Sequence, residues 1–282
     1  MEIAKNIAPI ALGIIMFGLG LGLTTNDFSN IIKKPKDFFI GISCQIIILP
    51  IIAFILILII PMPIEIAIGV MVIAAAPGGV TSNVLTKFAN GDVALSVLLT
   101  ATVSLISIIT VPFIVFTSAN LLGFSEIRPN ISMLNIALKM FVVVTMPVAF
   151  GMITRSLMNN YIISKTLIIQ RLSIILFLIV FISVWVEEWD RIVNFLVQAG
   201  IIALILNLTM IFLGYYIAKY FASGVAQRKC ISLECGLQNG TLAVFVATQL
   251  FDEIIYMVPT AAYALIMFLT SIIFVLKVRK IS

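Results

Sequence analysis

The chain has 282 residues, of which 62% are hydrophobic and 10% charged, with a mean hydropathy of +1.24 and a net charge of +5. That composition excludes a water-soluble globular domain, because there is too little polar surface to cover so much apolar side chain. No polar stretch is long enough for a separate soluble module or a Ser/Gly linker, and in such a chain the basic excess reports membrane topology rather than nucleic-acid binding.

Apolar runs between charge and proline clusters predict nine transmembrane helices, near residues 6–24, 37–60, 64–88, 92–119, 131–153, 166–187, 192–221, 228–250 and 255–277. The first run is too long for a signal-peptide core and lacks an Ala-x-Ala exit, so it is read as a retained span. In the second span Gln45 follows Ser43 and Cys44. The third is interrupted by Ala76-Pro77-Gly78-Gly79-Val80-Thr81-Ser82-Asn83, where the proline removes a backbone donor and the paired glycines let the chain leave helical angles. The fourth carries Ser96, Thr100, Thr102, Ser104 and Ser107; Ser96 and Thr100 share a helical face, although such hydroxyls commonly bond their own helix carbonyls. Trp185 and Trp189 sit at one end of the sixth span as interfacial anchors. The eighth holds Glu234-Cys235-Gly236-Leu237-Gln238-Asn239-Gly240 at its middle. An acid at that depth costs about 2.5 to 3.5 kcal/mol on insertion scales and marks a functional site.

Counting loops alternately collects thirteen basic residues on one side: Lys33, Lys34, Lys36, Lys87, Arg155, Lys165, Arg171, Lys219, Arg228, Lys229, Lys277, Arg279 and Lys280. Lys5, Arg128, Lys139 and Arg191 lie elsewhere. The positive-inside rule then puts the N-terminus outside and the C-terminus in the cytoplasm of a multi-pass cell (inner) membrane protein. Acids lean the other way, with Glu2, Glu65, Glu126, Glu187, Glu188, Asp190, Asp252 and Glu253 outside, leaving Glu234 as the acid within a span.

The two interrupted helices lie five spans apart and so run in opposite directions. This predicts one all-α polytopic membrane domain over residues 1–282, an inverted repeat of about 6–119 and about 131–277 with two discontinuous crossing helices. The first repeat then lacks the opening helix of a ten-helix scheme. Broken helices offer carbonyls and C-terminal dipole ends to a cation, and amides and N-terminal ends to an anion. Carboxylate, amide and hydroxyl oxygens suit a hard cation such as sodium rather than zinc or copper. The chain has no histidine, and Cys44, Cys230 and Cys235 match neither zinc nor redox spacing, so they read as packing residues.

At these residues the chain resembles the bile acid:sodium symporter (BASS) family, as a bacterial member, over essentially its whole length. The likeness rests on Gly13-Ile14-Ile15-Met16-Phe17-Gly18, Gln45 followed by Pro50, Pro77-Gly78-Gly79 through Ser82-Asn83, Gly91 with Ala94-Leu95-Ser96, and Glu234 through Asn239. The resemblance implies a core domain crossed by the broken helices, a panel domain, and two sodium ions as coupling ions. By it, Ser82, Asn83, Ser96, Thr100 and Glu234 hold the first sodium. Gln45, Glu234, Gln238 and the carbonyls of Cys235 and Leu237 hold the second. Substrate is expected beside Val80, Thr81, Asn239 and Gly240, with Met267 and Phe268 of the last helix facing it. These two and Val80 are apolar where relatives can be polar, which favours a small carboxylate such as pantoate or a 2-oxo acid over a bile acid.

The expected function is sodium-coupled import of a small organic anion by alternating access within the lipid bilayer. The sequence specifies no oligomeric state. The alternative is proton-driven efflux on a related fold, arsenite or auxin-like, although residues 76–83 lack a cysteine for arsenite. With no histidine and one buried acid, an intramembrane enzyme is hard to assemble.

Overall fold

The computed structural model describes residues 2–33, 35–124, 131–187 and 189–281. With no water in a bilayer core to pair with backbone groups, a chain this apolar is driven into helices. They run in the order α1 (Glu2–Leu21), α2 (Thr25–Lys33), α3 (Pro35–Ile59), α4 (Ile64–Ala75), α5 (Val80–Phe88) and α6 (Val93–Leu121). After the 125–130 segment come α7 (Met133–Leu157), α8 (Asn159–Glu187), α9 (Trp189–Phe221), α10 (Val225–Gly236), α11 (Gly240–Leu250) and α12 (Ile254–Val278). Among the described residues, six helices are long and apolar enough to cross a membrane, and the Lys5–Leu21 part of α1, α4 and α11 are shorter apolar ones.

Each of the nine apolar runs is occupied by helix, and two differences from the sequence reading have local causes. Helix α8 starts at Asn159 rather than near 166, since polar residues outside the hydrocarbon still continue a helix. The stretch between the first two predicted spans contains α2, opened by Asp27 accepting from the Thr24 amide and hydroxyl at 2.7 Å each. Both interruptions fall where they were predicted: α4 stops at Ala75 before Pro77, and α10 stops at Gly236.

Helix α3 contains a widened π turn over Cys44–Ile48, and α7 a matching one over Phe141–Thr145. Each is followed two residues later by a proline, Pro50 or Pro147, whose ring crowds the preceding turn. The turn in α3 contains Gln45.

The helices fall into two packing groups. Helices α1, α7 and α8 pack on one another, with Gly20 and Gly151 letting α1 and α7 touch backbone to backbone. The remaining long helices surround α4 and α10, while α11 lies between the groups against α1, α4, α8 and α12; α4 and α11 are buried almost throughout, and α10 from Lys229 onward. Large apolar side chains such as Ile109, Leu134, Leu167, Phe212 and Leu269 face outward. In water that surface would aggregate; in a bilayer it is the lipid-facing surface.

Polar contacts between helix ends gather at two places. Lys5 pairs with Asp252 at 3.3 Å and Lys139 donates to Gln249 at 2.7 Å at one end. At the other, Asp37 accepts from the Ser223 amide at 2.7 Å, Gln227 donates to Asp92 at 2.9 Å, and Lys229 donates to the Ile281 carbonyl at 2.8 Å. Asp37 is a second buried acid that the sequence reading missed, held at a helix end rather than at mid-span. Trp189 is exposed as an anchor would be, whereas Trp185 is half-buried, its ring centroid 6.0 Å from that of Phe181 at a tilt of 52°. Of the charges used for orientation, Lys34, Glu126, Arg128 and Glu188 lie outside the described residues, as do the side chains of Glu2, Lys33, Glu187, Asp190 and Arg191.

Candidate functional site

The two helix interruptions meet. Residues 76–79 and 237–239 cross as short extended segments joined by an antiparallel bridge between Gly78 and Gln238. The Gly79 amide donates to the Leu237 carbonyl at 3.0 Å and the Asn239 amide to the Pro77 carbonyl at 2.8 Å. Backbone groups freed by breaking two helices are thus partly satisfied by each other, as a water-free interior requires. The crossing leaves four half-helix ends facing one region: the C-termini of α4 and α10 and the N-termini of α5 and α11.

Glu234 lies at the last turn of α10, fully buried. One carboxylate oxygen, Oε1, accepts from Ser82, from Ser96 at 2.6 Å and from Thr100 at 3.1 Å. The other, Oε2, accepts from Thr100 at 3.0 Å and from the Gln45 amide at 3.3 Å. Asn83 completes the cluster, its Oδ1 accepting from Ser96 at 2.8 Å and Thr100 at 3.4 Å. Helices α3, α5, α6 and α10 therefore each place an oxygen-bearing side chain at one point. Among the described residues no ion pair reaches Glu234, so its partners are neutral.

A close backbone approach makes this possible. A Cβ on Gly78 would lie 2.5 Å from Glu234 Oε2 and 3.3 Å from Gln45 Oε1, so a side chain there would occupy the carboxylate's place. Gln45 Oε1 instead accepts from the Gly78 amide at 3.2 Å, tying α3 to the first interruption.

The residues given to a first cation, Ser82, Asn83, Ser96, Thr100 and Glu234, are brought together in one cluster. Those given to a second are more dispersed about Glu234 Oε2. Gln45 touches it, while the Gln238 amide donates to the Cys235 carbonyl at 2.9 Å, and Leu237 offers a carbonyl already accepting from Gly79. Gln238 Oε1 is buried with no hydrogen-bond partner. Hard oxygens around one carboxylate fit sodium as the ion carried.

The fourth-span hydroxyls are sorted by the fold. Ser96 and Thr100 point at the carboxylate, whereas Ser104 and Ser107 bond helix carbonyls at 2.6 Å each. Asn207 of α9 went unnoticed in the sequence. It is fully buried, donates to the Gly236 carbonyl at 2.7 Å and accepts from Thr270 at 2.5 Å, while the Tyr263 hydroxyl donates to the same carbonyl at 3.2 Å. The signal was available, since an asparagine within an apolar run needs a partner as much as Gln45 does.

Beside the crossing, a small cavity lies between the two packing groups. Its lining includes Val80, Thr81, Asn239, Gly240 and Met267, together with Gln170 and Phe177 of α8. Phe268 stands one layer back, packed edge-to-face on Phe177 at 5.7 Å. The Asn239 side chain caps α11, accepting from the Leu242 amide at 3.0 Å. A larger space of about 320 Å³ shares Val80, Val84 and Gln170 with this cavity and extends to the end bearing Lys87.

Crossed interrupted helices, a buried carboxylate with neutral partners and an adjoining cavity between two helix groups define a multi-pass membrane transporter rather than an enzyme. The profile of the Sodium Bile acid symporter family matches residues 9–195, and the chain belongs to that family. It is 29% identical to the uncharacterized sodium-dependent transporter YocS of Bacillus subtilis (strain 168), over 90% of this chain and 77% of the relative. It is 26% identical to the probable chloroplastic sodium/metabolite cotransporter BASS1 of Arabidopsis thaliana, over 92% of this chain and 63% of the relative. The ileal sodium/bile acid cotransporter of Mus musculus is 26% identical over 89% of this chain and 71% of its own length. The chain thus spans between 63% and 77% of the length of these relatives.

Proposed function

We propose that the protein is a sodium-coupled symporter that imports a small organic anion by alternating access, with the α1, α7 and α8 group as panel and the helices around the crossing as core. The observation that carries this reading is Glu234, buried where the broken helices cross and surrounded by neutral oxygen-bearing groups. A carboxylate so placed is best satisfied by a cation.

On this reading Ser82, Asn83, Ser96, Thr100 and Glu234 hold one sodium ion. Gln45, Glu234, Gln238 and the carbonyls of Cys235 and Leu237 hold the other. Two cations against one carboxylate leave a charge of about +1, which an anionic substrate neutralises at the N-termini of α5 and α11, beside Val80, Thr81, Asn239 and Gly240. Met267, with Phe268 behind Phe177, gives the substrate an apolar boundary suited to a compact carboxylate. With the basic loops cytoplasmic, the N-terminus is outside, and the cavity reaching Lys87 opens inward.

The test is uptake of pantoate and of 2-oxo acids into proteoliposomes. An inward sodium gradient should drive accumulation and an inside-negative potassium-diffusion potential should accelerate it. One net charge per cycle is worth about 2.3 kcal/mol per 100 mV. Accumulation driven equally by potassium, or by a proton gradient alone, overturns sodium coupling.

A further inference from the structure

The cavity beside the crossing continues between α8, α11 and α12 into a tight gap with room for about one small group. Phe177, Phe181, Val244 and Ala264 make its wall apolar, and two hydroxyls interrupt it. Thr241 and Thr260 are 1% and 2% exposed, both line this space, and neither Oγ1 has a hydrogen-bond partner. Thr241 also lines the main cavity, so it stands where the two spaces join.

Ser104, Ser183 and Thr248 bond a carbonyl of their own helix, whereas Thr86, Thr102, Thr145 and Ser271 are, like Thr241 and Thr260, buried without a partner; of these six hydroxyls, Thr241 and Thr260 are the pair that lines the cavities beside the crossing. Thr241 and Thr260 stand in the first turn of α11 and of the α-helical part of α12, which begins at Val258 after a short 3-10 turn. The chain before each is not α-helical, so a helical carbonyl one turn back is not presented in the usual way. Before Thr241, the Leu237 and Gln238 carbonyls are already taken by the Gly79 and Gly240 amides. Buried hydroxyls normally have partners, and two without them on one cavity are matched by a ligand group that completes them.

We propose that Thr241 and Thr260 form a selectivity subsite that hydrogen-bonds a hydroxyl or keto oxygen carried on the short apolar body of the anion, apart from its carboxylate. This rests on the anion-carrier reading above. A hydroxyl both donates and accepts, so either substituent is served.

The experiment measures binding of two carboxylate pairs to purified protein in sodium: pantoate against 3,3-dimethylbutanoate, and 3-methyl-2-oxobutanoate against 3-methylbutanoate. Each pair shares a skeleton and a carboxylate and differs only in oxygen substituents. We expect at least one oxygenated member to bind about tenfold more tightly or better, since a site built around polar groups rejects the analogue that leaves them unpaired. Thr241→Val with Thr260→Val should bring that ratio close to one with sodium affinity unchanged. Each single valine variant should reduce it, and Thr241→Ser should keep it. A ratio that survives both valine substitutions, or is lost with serine, overturns the subsite while leaving the carrier reading intact. Wild-type protein that binds the carboxylates without preference does the same. Wild-type protein that binds no carboxylate in sodium overturns both.

Discussion

Replacing Glu234 by glutamine keeps the size and shape of the side chain and removes its charge. Two unit charges about 4 Å apart interact by about 4 kcal/mol at an effective dielectric constant of about 20. Removing that attraction is worth a factor of about a thousand in sodium affinity. Because Oε1 faces Ser82, Ser96 and Thr100 while Oε2 faces Gln45 and Thr100, the loss should fall on both proposed sodium sites. The fold should survive. A neutral amide is less costly to bury than a carboxylate, and the one new mismatch, an amide nitrogen facing the Gln45 amide, costs about 1 kcal/mol. In sodium-free buffer the Tm should therefore equal or exceed that of wild type. In sodium the order should reverse, because an ion present at about 100 times its Kd stabilises the native state by about 2.7 kcal/mol per site. The assay is thermal melting with sodium exchanged for choline at constant ionic strength, alongside proteoliposome uptake. A variant that keeps the wild-type rise of Tm with sodium and the wild-type uptake rate refutes the reasoning.

Gly78→Ala should lower sodium affinity and cost about 1 to 3 kcal/mol of stability, because its methyl would sit 2.5 Å from Glu234 Oε2; unchanged sodium binding would show that the carboxylate is not where the ion goes. Gln45→Ala and the pair Ser82→Ala with Thr100→Ala should each reduce the Hill slope for sodium without abolishing binding, and a wild-type slope and affinity in either removes its residues from the ligand set. Asn207→Leu withdraws a 2.7 Å donor from the Gly236 carbonyl and an acceptor from Thr270. The expected cost is about 1 to 3 kcal/mol, read as a lower Tm in sodium-free buffer, and wild-type melting would count against that network.

By itself the sequence determined the solvent, the helices and the two points where helices fail. Each is a local consequence of composition: an apolar run must satisfy its own backbone, and Pro77 with its flanking glycines prevents that over a few residues. Glu234 was legible for the same reason, since its cost depends only on depth. What the charge sits against was decided by tertiary structure. Gln45 and Glu234 are 189 residues apart, and nothing in the spacing says that a π turn before Pro50 brings one amide to both the carboxylate and the Gly78 amide. Ser96 and Ser104 are equally polar residues of one helix, yet one bonds the carboxylate and the other bonds a helix carbonyl. Asn207, Thr241 and Thr260 gain their meaning only from a carbonyl on another helix or a cavity between helices. Periodicity records which residues want an apolar surrounding; a hydrogen bond depends on ångström approach between segments distant in the chain, and only the packed fold sets that.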